Sequence, residues 1–88
     1  MTPRRAIDYS LYLVTDRDLS FGRPTPSLVS AAVRGGVTCV QLREKALSTR
    51  AFLAEARAVA AVLKSTGVPL IINDRIDVAM AVRADGVH

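Results

Sequence analysis

Three short apolar runs, Leu11–Val14, Cys39–Leu42 and Leu70–Ile72, constrain this chain more than any other feature, because stretches of helical periodicity separate them. A strand with one wet face alternates apolar and polar residues. A continuous run marks a strand covered on both faces, which is the habit of parallel sheets. Gly86–His88 is a shorter fourth candidate. Pro24-Thr25-Pro26-Ser27 breaks the chain and starts a helix on which Leu28, Val29, Ala32 and Val33 recur; Gly35-Gly36 ends it, with glycine in the left-handed position. A second helix carries Phe52, Ala56, Val59 and Leu63 as one stripe, capped by Ser48 or Thr49 and stopped by Gly67 and Pro69. A short third has Asp74 as a cap and Asp77 in its first turn, with Ile76, Ala79, Met80 and Val82 as its apolar surface.

The order β-α-β-α-β-α-β predicts an α/β fold with a parallel sheet and right-handed crossovers. Both a doubly wound sheet and a (β/α)8 TIM barrel satisfy it. Four strands and three helices are half of an eight-unit barrel, which takes about 250 residues. The sequence stops at a strand end with no helix over the last unit. The expected organisation is therefore one domain over residues 1–88, the N-terminal half of a barrel from its first to its fourth strand, truncated and without a second domain.

Composition narrows the functional classes. Half of the residues are hydrophobic, mostly small or β-branched aliphatics, which excludes a disordered chain. Two Phe, two Tyr and no Trp offer little platform for stacking bases. The net charge is +4, yet the 12 basic residues are dispersed and only Arg4-Arg5 are adjacent, so nucleic acid is not an expected partner. A lone cysteine, Cys39, lies in an apolar run, which suits packing in a reduced, cytoplasmic protein. The start resembles a signal n-region, but Asp8 and Asp16 bracket an apolar stretch too short for a leader or a membrane span. A soluble protein with no membrane partner is expected.

Polar residues collect just after the strands: Thr15-Asp16-Arg17, then Gln41 through Arg43-Glu44-Lys45, then Asn73-Asp74-Arg75, then His88. In parallel α/β folds these ends share one rim, where ligand sites lie. Gln41, Arg43 and Lys45 are spaced by two, so an extended strand points them one way and turns Val40 and Leu42 toward the helices. A guanidinium fork beside an ammonium suits a phosphate or diphosphate. The competing reading pairs Arg43 and Lys45 with Glu44 and solvent. Asn73-Asp74 offers an amide and a carboxylate that suit Mg²⁺, which takes one or two carboxylates plus phosphate oxygens. Asp74 is also an N-cap for a helix starting at Arg75, and the two roles are compatible. Gly35-Gly36 follows a helix and is no phosphate loop; His88 has no partner in the sequence and reads as a strand-end residue. No zinc spacing, Walker motif or nucleophile elbow is present.

Four segments, Leu11–Asp16, Val40–Lys45, Ile71–Ala79 and Ala84–His88, together resemble the thiamine-phosphate synthase family in order and spacing. The resemblance covers about Leu11 to His88 and the front half of that family's barrel. It implies a transferase of thiamine biosynthesis that joins an aminopyrimidine methyl diphosphate to a thiazole phosphate, giving thiamine phosphate and pyrophosphate. It further implies that Gln41, Arg43, Lys45 and Asn73 bind the pyrimidine diphosphate and that Asp74 binds Mg²⁺, with Arg43 and Lys45 acting electrostatically. The family's second metal-binding aspartate and its thiazole pocket fall beyond His88, so these 88 residues alone are expected to be inactive. Such a half-barrel is also expected to be marginally stable, to aggregate or to pair with another copy. The alternatives are a thiazole tautomerase of the same superfamily and a non-catalytic half-barrel fragment.

Overall fold

Strands form where the continuous apolar runs stand, and helices form where apolar residues recur every three or four positions. The computed structural model describes residues 7–15, 24–44 and 47–88. Its elements are β1 (Tyr12–Val14), α1 (Thr25–Arg34), β2 (Cys39–Leu42), α2 (Thr49–Leu63), β3 (Leu70–Ile72), α3 (Ile76–Ala81) and β4 (Gly86–Val87). The strands form one parallel sheet in the order β1-β2-β3-β4. Leu13, Val40, Leu42, Leu70 and Ile72 point to one face of the sheet and pack with Val29 of α1, Phe52, Ala56, Val59 and Leu63 of α2, and Val78 of α3. All three helices therefore cover the same face. A doubly wound sheet reverses its strand order and places helices on both faces. Sequential order with all helices on one face is barrel winding, and the fold is that of the (β/α)8 class over four strands.

Local chemistry explains most element ends. Ser48 Oγ accepts the N–H of Ala51 at 3.2 Å and caps α2. Gly36 has φ 105°, a conformation that L side chains rarely adopt, and it releases the chain from α1 into β2. The α2 stripe is buried as its spacing requires. On α3 the expectation needs correcting. Val78 and Ala79 are buried, whereas Ile76 and Met80 are 65% and 75% exposed. A helix of six residues has room for only a narrow buried face.

Asp74 is a second correction. It does not cap α3: Arg75 holds the cap position without a side-chain cap bond, and Asp74 has φ 62°. Asp and Asn are the non-glycine residues that best tolerate this left-handed conformation. Arg75 instead ties α3 to α2. Its guanidinium donates to Thr49 Oγ1 at 2.9 Å and to the Asp77 carboxylate, and lies 5.8 Å from the Phe52 ring centroid. The same guanidinium lowers the Asp77 carboxyl below the usual range through its hydrogen bond.

The opposite rim carries a side-chain clamp. Asp85 N–H donates to the Leu70 carbonyl, and its carboxylate accepts the Leu70 N–H, both at 2.8 Å. Asp85→Ala leaves that N–H, on a buried strand residue, without its acceptor. The expected loss is about 1–2 kcal/mol, read as a lower Tm at roughly 4–8 °C per kcal/mol. Asp85→Asn keeps an acceptor and is expected to melt close to the parent. An unchanged Tm for the alanine variant would remove the clamp from the account.

Candidate functional site

On the face of the sheet opposite the helices, polar side chains form a continuous line across all four strands. Pairing of Tyr12 with Cys39, and of Gln41 with Ile71, sets Gln41 two residues beyond Tyr12 and Asn73 two residues beyond Gln41. The line thus climbs obliquely toward the C-terminal rim. His88 follows Val87, which pairs with Ile72, and stands level with Asn73. Gln41 Nε2 donates to Tyr12 Oη at 2.6 Å. Asn73 Nδ2 donates to Gln41 Oε1 at 3.0 Å and lies 3.3 Å from His88 Nδ1. Gln41 is only 4% exposed, and its partners satisfy both ends of the amide.

Backbone pairing holds the rim that carries these groups. Thr15, itself buried, accepts the Arg43 N–H on Oγ1 at 3.0 Å and fixes the direction in which the chain leaves β2. Asn73 N–H donates to the Leu42 carbonyl, and Asp74 N–H to the His88 carbonyl at 2.9 Å. Arg43 is exposed at this rim, and its guanidinium makes no ion pair or hydrogen bond among the described residues. The Asp74 carboxylate, exposed on the adjacent strand end, likewise has no hydrogen-bond partner among them.

Of the site residues expected from sequence, Gln41 and Asn73 are thus bonded to each other, while Arg43 and Asp74 occupy neighbouring positions on the same rim. Lys45, like Asp16 and Arg17, lies outside the described residues. Two further participants were not foreseen. Tyr12 read as part of an apolar run, and its hydroxyl at a position that alternates away from Leu13 was the available signal. His88 falls on the rim in the sequence but reads there only as a strand-end residue, since Asn73, 15 residues away, meets it through strand pairing alone. No group of three His, Cys, Asp or Glu side chains able to hold a metal occurs among the described residues. No helix among them is long and apolar enough to cross a membrane.

Comparisons with known proteins point one way. The family described as thiamine monophosphate synthase matches residues 11–88. A thiamine-phosphate synthase of Albidiferax ferrireducens is 62% identical over 78 residues, which are 89% of this chain and 36% of that protein. The thiamine-phosphate synthase of Chloroflexus aurantiacus is 50% identical over 88 residues, all of this chain and 41% of its relative. The solved structure of a thiamine phosphate pyrophosphorylase from Pyrococcus furiosus superposes with a TM-score of 0.81 at 36% identity, over 88% of this chain and 37% of that one. The chain spans about two fifths of the length of the relatives it matches.

Proposed function

The chain belongs to the thiamine monophosphate synthase family, and from that membership and the rim geometry we propose that it contributes the pyrimidine-diphosphate half of a thiamine-phosphate synthase site. In this reading the four strands and three helices are the first half of one barrel domain. The reaction condenses an aminopyrimidine methyl diphosphate with a thiazole phosphate to give thiamine phosphate and pyrophosphate. The observation that carries the reading is the bonded pair Gln41–Asn73, flanked at the same rim by the Arg43 guanidinium and the Asp74 carboxylate, neither of which has a side-chain hydrogen bond or ion pair among the described residues.

Each residue then has a distinct task. The Gln41 and Asn73 amides orient a planar heterocycle, since a bonded amide pair resists rotation and neither group is a useful proton acceptor at neutral pH. Arg43 offers a bidentate fork to diphosphate oxygens, and Lys45 adds a point charge. Both stabilise negative charge as it grows on the departing diphosphate. The donor set fits Mg²⁺ in one respect: a single exposed carboxylate, Asp74, with no hydrogen bond to its oxygens among the described residues, is what that ion takes when phosphate oxygens and water complete its shell. When bound, Mg²⁺ supplies Lewis-acid neutralisation of the diphosphate. The buried lone thiol Cys39 supports a reducing, cytoplasmic setting.

Calorimetric titration of the chain with the pyrimidine diphosphate, with and without Mg²⁺, tests this reading. Saturable binding that weakens on removal of Mg²⁺ is expected, and no binding in either condition would sink it. Asp74→Asn separates the metal role from a structural one. Asparagine also accepts the left-handed conformation, so the Tm should hardly move while the Mg²⁺ concentration needed for binding rises. A lower Tm with unchanged Mg²⁺ dependence would make Asp74 purely structural.

A further inference from the structure

The polar line on the face opposite the helices has a direction, and its bonding rules leave only two self-consistent arrangements. Tyr12 Oη and the imidazole of His88 can each donate or accept, whereas every primary amide has one donating and one accepting end. In the structure Gln41 gives an N–H to Tyr12 and takes one from Asn73, whose nitrogen also faces His88 Nδ1. A nitrogen that carries two hydrogens can bond Nδ1 only if Nδ1 is the unprotonated ring nitrogen. Turning both amides over gives the other arrangement, in which Tyr12 donates, Asn73 presents oxygen to His88, and Nδ1 must carry the proton.

We propose that His88 is a positioning residue: by holding the Nε2–H tautomer, it fixes the polarity of the Asn73 and Gln41 amides and thereby the donor–acceptor pattern offered to a ligand. This rests on the pyrimidine-binding reading above. With His88 as the Nε2–H tautomer, both hydrogens of Asn73 Nδ2 are engaged, so Asn73 Oδ1 is its remaining acceptor, and one N–H of Gln41 Nε2 remains to donate. An amino group beside a ring nitrogen offers a donor next to an acceptor and matches this pair. A 4-hydroxypyrimidine in its oxo form offers the reverse order and leaves the buried amide of Gln41 facing another donor. Rejection of the hydroxy analogue by about ten- to a hundredfold follows from that unmatched contact.

The test has two independent arms. Nitrogen-15 correlation spectra of the neutral His88 ring in the full chain should show protonation on Nε2 alone. A proton on Nδ1 would overturn the proposal. Calorimetry then compares the 4-amino and 4-hydroxy pyrimidine diphosphates. His88→Leu frees the amides to reverse together, so the preference for the amino compound should collapse to a few-fold. Tyr12→Phe should weaken both ligands alike and leave the ratio intact, because the phenol serves either polarity. An unchanged ratio in His88→Leu would refute the positioning role. Correct tautomerism with no binding of either compound would instead bring down the functional reading and leave the polarity of the line standing.

Discussion

Arg43→Ala is expected to lower kcat/KM by a few hundredfold, about 3 kcal/mol of transition-state stabilisation, when assayed in a complete eight-unit barrel that carries these 88 residues. The size follows from where the guanidinium stands. It sits at the open end of β2, with its backbone held by Thr15 and its side chain committed to no partner among the described residues. No carboxylate among the described residues pairs with its charge, which suits a contact with an incoming diphosphate. Arg43→Lys should recover only part of the loss, because a point charge replaces a fork that binds two oxygens at once. Steady-state kinetics with the pyrimidine diphosphate as the varied substrate would check this. Near-parent kinetics for the alanine variant would return Arg43 to the solvated-loop reading.

The largest loss of stability is expected at Phe52. Its ring is 1% exposed, belongs to the core shared by all three helices, and carries the Arg75 guanidinium on its outer side. Phe52→Ala should cost about 3–5 kcal/mol through lost burial and the cavity left behind. A domain of this length commands roughly 4–13 kcal/mol in total, at 0.05–0.15 kcal/mol per residue. At the low end of that range the variant is partly or wholly unfolded at room temperature, and at the high end its urea midpoint falls steeply; urea titration followed by circular dichroism reads either outcome. Phe52→Leu keeps most of the volume and should fall between the two. A cost for Phe52→Ala below about 1 kcal/mol would mean that the core is not organised around this side chain.

How much was legible beforehand differs element by element. Cys39–Leu42 and Leu70–Ile72 were readable to the residue because covered strands need unbroken apolar runs, and the α2 stripe because 3.6-residue periodicity survives over 15 residues. The first strand begins at Tyr12 rather than Leu11, since Leu11 N–H bonds the Thr38 hydroxyl and not a strand neighbour. Helix α3 was legible as a helix but not in its buried face, because six residues hold too few repeats to define one. Asp74 read plausibly as a cap, and only the backbone shows that it turns left-handed one residue too early to serve.

What the sequence determined by itself is whatever depends on neighbours along the chain: which segments are strands and helices, where they stop, and that Gln41, Asn73 and Asp74 fall at strand ends. These follow from periodicity, turn chemistry and the alternation of side chains, all of which act over a few residues. The tertiary structure alone decided the strand order and the placement of all three helices on one face, which separate barrel winding from a doubly wound sheet. It also decided that Tyr12, Gln41, Asn73 and His88 join into one line, across separations of 29, 32 and 15 residues. The physical reason is register: a hydrogen bond between strands depends on how far one has slid along the other, and a shift of one residue would turn each side chain to the opposite face.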